Sequence, residues 1–576
     1  MWMTTKSGRR NRSTEDPIKE FEHAVRLLEA GQHGKAAKIA ASLARGLPHV
    51  PDIRQLQGAI ALVSGTPEKA IIYLQKGLAS APGSPPLNDL LGTALVQSGR
   101  HVEAVAAYRR ALDSSPDDPG FLNNMGNALR QLGRMEEARD AYQKSLKRRP
   151  DNPDSLCNLG LVLIDLDNHE QAEDAFRQAL DHAPDLSAAH VNLAYVLIEQ
   201  RRFDDAVDCC RCALELEPTL VDALNNLARA CMCLGDHRQA AEAIEKAVAL
   251  DPNHVGALQA MGIQHFLHGR WSQAWACYET RWQIEAARNR RFPQPMWRGE
   301  PIVGKTLLVW GEQGVGDEIM FTSMIPDLVE QGVNVILELD ARLLDLYRRS
   351  FPHQHCVARE NPPAPAILET DIDFQAPCGS LGRWLRPDEA SFSGRPSFLK
   401  ADMAQTEIVR RRYREEAHSH VVGVSWRSLN RDIGDDKSMD VTNLGPLAEI
   451  PGVRLVDLQY GDTSADCAVF EKALGVKLLR DPEIDPLQDL DGFAAHVSAM
   501  DLVVSISNTT AHMAGALGVP AWVMVPVTPL WRWMMDREDS PWYPTARLFR
   551  QTQPRQWPDV IDRVIEALKG FRPSAA

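Results

Sequence analysis

Small and apolar positions in the first part of the chain return every 34 residues. Pro48, Pro82, Pro116, Pro150, Pro184, Pro218 and Pro252 keep that step without a slip. So do Ala36, Ala70, Ala104, Ala138, Ala172, Ala206, Ala240 and Ala274, and Gly58, Gly92, Gly126 and Gly160 share it. One unit, FLNNMGNALRQLGRMEEARDAYQKSLKRRPDN, reads as two helices: small residues at Gly126 and Ala138 let them approach closely, and Pro150 closes the second. The pattern predicts an all-α solenoid of about eight such repeats over residues 17–288. The first helix of each repeat would line a concave groove, a surface suited to extended or helical peptides.

After residue 288 the period stops. Residues 289–304 form a charged, proline-containing junction, and short apolar runs then alternate with helical stretches. KTLLVW, VNVILEL, HVVGVSW, VRLVDLQ, DLVVSIS and PAWVMVP read as strands, and DEIMFTSMIPDLVEQG, ARLLDLYRRSF, DGFAAHVSAM and TTAHMAGALG as helices. This alternation predicts an α/β module of two Rossmann-like halves, 305–400 and 418–571, joined by a charged linker helix at 401–417. Such halves bind ligands in the crevice at the carboxyl ends of their strands. At one of those ends, SISNTT crowds hydroxyl and amide side chains just before a helix start, an arrangement suited to an anion.

Length and charge narrow the field. A chain of 576 residues that is 44% hydrophobic is too long for one domain, and a net charge of -14 argues against a nucleic-acid binder. Residues 1–16 are polar and basic with no apolar stretch, and no run of 18 apolar residues follows, so a disordered start and a cytoplasmic protein without a transmembrane segment are expected. Among the ten cysteines, Cys210 occupies the repeat column of Tyr108, Tyr142, Phe176 and Tyr278 and should be buried, whereas Cys212 aligns with Arg110 and Lys144 and should be exposed. Neither a disulfide framework nor a metal site is read from them, and the acidic DID at 371–373 is set aside as a metal pair.

The 34-residue pattern resembles the tetratricopeptide repeat. Within it, Asn124, Asn158, Asn192 and Asn226 share one column, similar to the asparagine ladder in the repeats of O-linked N-acetylglucosamine transferases, which implies a grip on an acceptor peptide backbone. GEQGVGDEIMFTSMIP at 311–326, SNTTAHMAGALGVP and LWRWMMDREDSPWYPTARLFRQ resemble the family 9, heptosyltransferase-like branch of GT-B glycosyltransferases. The full layout looks like bacterial repeat-containing glycosyltransferases, including those that modify flagellin. The resemblance implies a candidate general base at Asp317 and a donor-facing lysine at Lys437. It also implies donor-binding roles for Asn508, Thr509, Thr510, His512, Arg427 and Arg532.

The chemistry agrees: negative charge growing on a departing phosphate is met by fixed N–H groups and a cation, with no metal or cofactor required beyond the nucleotide-sugar donor. Ser507 departs from the family pattern, in which an acidic residue stands five positions before the histidine. The first half is short, so the repeats are expected to complete the acceptor side. The resulting expectation is a metal-independent protein O-glycosyltransferase acting on a polypeptide, flagellin being the example the resemblance supplies. Two alternatives stay open: a repeat scaffold with a non-catalytic nucleotide-binding domain, and a transferase for lipid-linked glycans.

Overall fold

The computed structural model describes residues 17–284, 290, 292–365, 367, 371–392, 394–414, 420–430 and 434–572. The expected disorder of residues 1–16 therefore lies outside the described residues. The chain is an all-helical solenoid followed by an α/β module. Sixteen helices in eight antiparallel pairs run from Pro17–Glu29 to Trp271–Tyr278. Among the described residues no helix is long and apolar enough to cross a membrane.

The repeat columns have a packing cause. A Cβ on Gly92, Gly126 or Gly160 would sit 2.5–2.6 Å from the ring of Tyr108, Tyr142 or Phe176, so only glycine admits these aromatics between paired helices. The next column member is Ala194, and there the ring is replaced by the smaller, buried Cys210. Cys212 is exposed, as its alignment with charged positions predicts. A second 34-residue series accounts for helix starts: Pro51, Pro85, Pro119 and Pro153 open their helices, where a missing N–H costs nothing.

Compactness divides the chain into residues 1–226 and 227–576, which differs from a boundary at the 289–304 junction. The physical reason lies in the last repeat, whose surface has become core. Phe266, Trp271 and Trp275 are buried in one cluster with Phe321, Leu381 and Trp542 of the α/β module. Trp275 Nε1 donates to the Arg386 carbonyl at 2.8 Å. Its ring fills the space over Gly382, where a Cβ would lie 2.2 Å from it.

Nine strands are found in the described part of this unit, in two parallel sheets. The first contains β1 (Thr306–Trp310), β2 (Asn334–Leu339), β3 (His355–Ala358) and β4 (Phe374–Pro377), in the order β3-β2-β1-β4. The second contains β5 (His420–Ser425), β6 (Val453–Asp457), β7 (Leu502–Ile506), β8 (Ala521–Val525) and β9 (Ala546–Arg550), in the order β6-β5-β7-β8-β9. The strands β3, β4 and β9 were not legible as apolar runs. The single helix expected over 317–332 is broken into Val315–Phe321, a 3-10 turn at Thr322–Met324 and Ile325–Glu330. Pro326 forces that restart, and Thr322 Oγ1 bonds back to the Glu318 carbonyl at 2.8 Å. The linker helix spans Met403–Tyr413. Asp373 of the DID triplet is a structural anchor, accepting from Lys305 Nζ and the Thr306 N–H, both at 2.9 Å.

Candidate functional site at the ends of two sheets

The cluster that ends β7 does two different things. Asn508 caps the helix Thr509–Leu517: its Oδ1 accepts the Thr510 N–H at 3.0 Å, and its Nδ2 donates to Ser425 Oγ at 2.7 Å and to the Arg427 carbonyl at 3.2 Å. Thr510 is fully buried and its hydroxyl donates to the Leu458 carbonyl at 3.2 Å. These two side chains tie the ends of β5, β6 and β7 together. That corrects their expected donor-binding role, because their polar groups are consumed by the scaffold. Arg427 is tied partly into the same scaffold: its guanidinium pairs with Asp466 at 3.2 Å and donates to the Asp462 carbonyl, while its buried Nε has no hydrogen-bond partner among the described residues. Ser507, at the position acidic in the resembled family, accepts the indole N–H of Trp533 at 2.6 Å.

The remaining candidates converge. A Cβ on Gly316, in the first turn of helix Val315–Phe321, would lie 3.1 Å from the His512 ring and 3.6 Å from Thr509 Oγ1, so the glycine lets one half's helix start approach the other's. One residue on, Asp317 Oδ1 forms an ion pair with Arg532 Nη2. Lys437, only 5% exposed, makes no hydrogen bond or ion pair among the described residues. Burial pushes its ammonium down to about 8, with repulsion from Arg532 adding to the fall and Asp317 opposing it.

His512 stacks on Trp533 with ring centroids 5.5 Å apart, and its Nδ1 lies 2.8 Å from the Tyr543 hydroxyl. Burial, reinforced by Arg532 and Lys437, holds it well below the usual histidine range. The imidazole is therefore neutral at pH 7. It offers a hydrogen bond to an anion, not a charge.

A brace behind this cluster was invisible in the sequence. Arg281, at the end of the last repeat, donates to both oxygens of Glu312 at 3.0 and 2.8 Å and to Ser380 Oγ at 2.9 Å. Its guanidinium lies 4.0 Å from the Tyr278 ring centroid. Gln313, at φ 60, donates to the Tyr278 hydroxyl at 2.9 Å. The loop that leads into the helix of Asp317 is thus pinned by the final repeat. Glu318, next to Asp317, has its carboxyl pushed up to about 7 by burial, against the pull of Arg359, and is fully buried away from solvent. The repeat period assigns Tyr278 to the core column but says nothing of Glu312, which lies 31 residues from Arg281.

In the unit of residues 1–226, three members of the asparagine column use an amide N–H between repeats. Asn124 Nδ2 donates to Asp89 at 2.9 Å, Asn158 to Asn123 at 3.2 Å and Asn226 to the Val191 carbonyl at 3.2 Å. Each bond reaches back 35 residues to the preceding repeat, so the column ties neighbouring first helices together. Asn192 stands half-buried in the same column.

Tetratricopeptide-repeat family models match residues 21–85, 90–153, 141–174 and 185–253. The chain is 34% identical over 321 residues to Protein FlbA of Caulobacter vibrioides, covering 53% of this chain and 54% of that protein. It therefore spans about half the length of the curated relative it matches. Solved structures with a likeness include the Cut9–Hcn1 hetero-tetramer of APC/C, at 21% identity over 42% of this chain and 47% of that one, with a TM-score of 0.36. YrrB, described as a repeat protein with an unusual peptide-binding site, matches at 22% over 33% of this chain and 97% of its own, with a TM-score of 0.29. The pilF protein of Pseudomonas aeruginosa matches at 23% over 36% and 94%, with a TM-score of 0.33. The chain thus carries tetratricopeptide repeats, a scaffold type that generally serves protein interaction.

Proposed function

We propose that the chain is a cytoplasmic O-glycosyltransferase of GT-B type that moves a sugar from a nucleotide-sugar to a polypeptide presented by its repeats. One observation carries the reading: Lys437 is buried and makes no hydrogen bond or ion pair among the described residues, and it lies near the Asp317–Arg532 pair after the carboxyl ends of two parallel sheets. A buried unpaired cation is costly, and such perturbed groups in a cleft mark sites that meet a charged ligand. The fitting ligand is a diphosphate, lying at the start of helix 509–517 with Lys437 and Arg532 on its oxygens and neutral His512 within hydrogen-bonding range.

The chemistry follows from those positions. As the sugar–phosphate bond breaks, charge accumulates on the departing nucleoside diphosphate, and the two cations with the helix N–H groups stabilise it where it forms. The acceptor hydroxyl loses its proton to the Asp317 carboxylate while it attacks the sugar carbon. A polypeptide acceptor is supported by the repeats, and flagellin is the example the sequence resemblance supplies. One amide N–H of Asn124, Asn158 and Asn226 is engaged between repeats, so the polypeptide would meet their remaining amide groups together with other side chains of the array.

The test compares intact-protein mass spectra of cells with and without this chain, alongside nucleotide release by the purified protein over a panel of nucleotide-sugars. Glycan-sized mass differences on specific proteins, matched by donor turnover, support the proposal. An unchanged set of masses together with no turnover of any donor would overturn it.

A further inference from the structure

Arg532 grips Asp317 in a way that leaves the guanidinium only partly used. Nη2 is engaged with Asp317 Oδ1, while the buried Nε has no hydrogen-bond partner among the described residues. The side chains are 11% and 21% exposed, so the pair is shielded from bulk water. Lys437, near enough to feel both charges, makes no hydrogen bond or ion pair among the described residues. The trio of Asp317, Arg532 and Lys437 therefore carries one more positive charge than negative when the lysine is protonated. A guanidinium is a fork that takes phosphate oxygens two at a time, which a single contact to a carboxylate oxygen does not satisfy.

We infer that Arg532 is a ligand-released latch on Asp317: it holds the carboxylate while the site is empty, and a phosphoanhydride arriving at the start of helix 509–517 draws it away. The inference rests on the proposed transferase reading and adds when the base becomes available. With the donor absent, one Asp317 oxygen is held by Arg532, which lowers the basicity the carboxylate offers to water. With a diphosphate in place, the guanidinium has a stronger partner and the carboxylate is released toward the acceptor hydroxyl. A general base that touches only the acceptor would leave donor binding unchanged when neutralised. The latch requires instead that binding tighten, because the diphosphate no longer competes with a resident carboxylate.

The experiment is calorimetric titration of inorganic pyrophosphate and of a panel of nucleoside diphosphates into the full chain, wild type, Asp317→Asn, Arg532→Gln and the double variant. The latch predicts that Asp317→Asn binds about tenfold more tightly, a step of the size expected for removing a competing ion pair from a shielded site. Arg532→Gln binds more weakly, and in its background Asp317→Asn gains nothing. Should the Asn variant lose its cooperative thermal unfolding, Asp317→Ala carries the same prediction. Pyrophosphate alone reports the phosphate contacts, and the nucleosides report whatever the base and ribose add. Binding by the wild type with equal affinity for Asp317→Asn, or tightening that persists without Arg532, would overturn the latch and leave the anion site standing. No binding by any variant would remove the site, and the proposed function and the latch with it.

Discussion

The asparagine column of the repeats and the polar cluster at the end of β7 look alike in the sequence, yet the structure uses them in opposite ways. Asn124, Asn158 and Asn226 direct their amide nitrogens to the preceding repeat. Around helix 509–517, Asn508 and Thr510 are equally committed to the scaffold, but Lys437, near His512, is buried with no hydrogen bond or ion pair among the described residues. Polar groups that satisfy one another report architecture. A charged group kept dry without a partner is unfavourable for the fold, and its retention points to a ligand.

The difference can be broken most severely at Asp317. Asp317→Asn keeps the side chain's size and removes the proton acceptor, so turnover in the proposed transfer should fall by roughly 10²- to 10⁴-fold. Sugar transfer measured as nucleotide release checks this, and parental rates would make Asp317 a structural residue of its helix start, held by Arg532.

Lys437→Met should separate stability from binding. The ammonium sits at about 8 in the folded protein against 10.5 when exposed, so the folded state binds fewer protons than the unfolded chain between those values. Stability of the wild type therefore rises with pH across that window, and below it the buried charge costs on the order of 3 kcal/mol. The methionine variant should be more stable than wild type at pH 7, by an amount that shrinks toward pH 10.5, and should lose diphosphate affinity. Denaturant unfolding at pH 7 and pH 10 decides it, and a variant less stable at pH 7 would mean the lysine is satisfied after all.

The mirror experiment in the repeats has a smaller expected effect per residue. Replacing Asn124, Asn158 and Asn226 by alanine removes inter-repeat hydrogen bonds worth about 1 kcal/mol each, so the array should unfold at lower denaturant. Acceptor binding should change little at conditions where all helices remain. A large loss of acceptor affinity with unaltered unfolding would restore the column as a peptide grip.

Much of the architecture was legible because its causes repeat or run long. Eight repeats print one alanine column, four of them a glycine column, and β1, β2, β5, β6, β7 and β8 are largely apolar runs of five or six residues. The strands β3 and β4 escaped because HCVA and FQAP are four residues long and mixed in character. The division at Asn226 escaped because the last repeat keeps the period while Trp271 and Trp275 turn its surface into the core of the α/β unit.

At the site, Asp317, Lys437, His512 and Arg532 were reachable through motifs and do come together. Arg427 and Asn508 sit in the same motifs but serve the scaffold, a distinction that depends on side-chain direction. Arg281 and Glu312 belong to segments with no shared motif, and only folding shows that one braces the other.

The most direct test of the central claim, that Lys437 and Arg532 await a diphosphate, is the proton balance of binding. Calorimetric titration of nucleoside diphosphates into the full chain at pH 8.5, repeated in buffers of different ionisation heat, measures protons taken up. The wild type should bind the best of the panel with uptake of a fraction of a proton, because a bound anion draws Lys437 back toward its charged form, and Lys437→Met should lose both the uptake and most of the affinity. Binding with no proton uptake, or uptake undiminished in the methionine variant, would contradict the assignment of Lys437 to the anion.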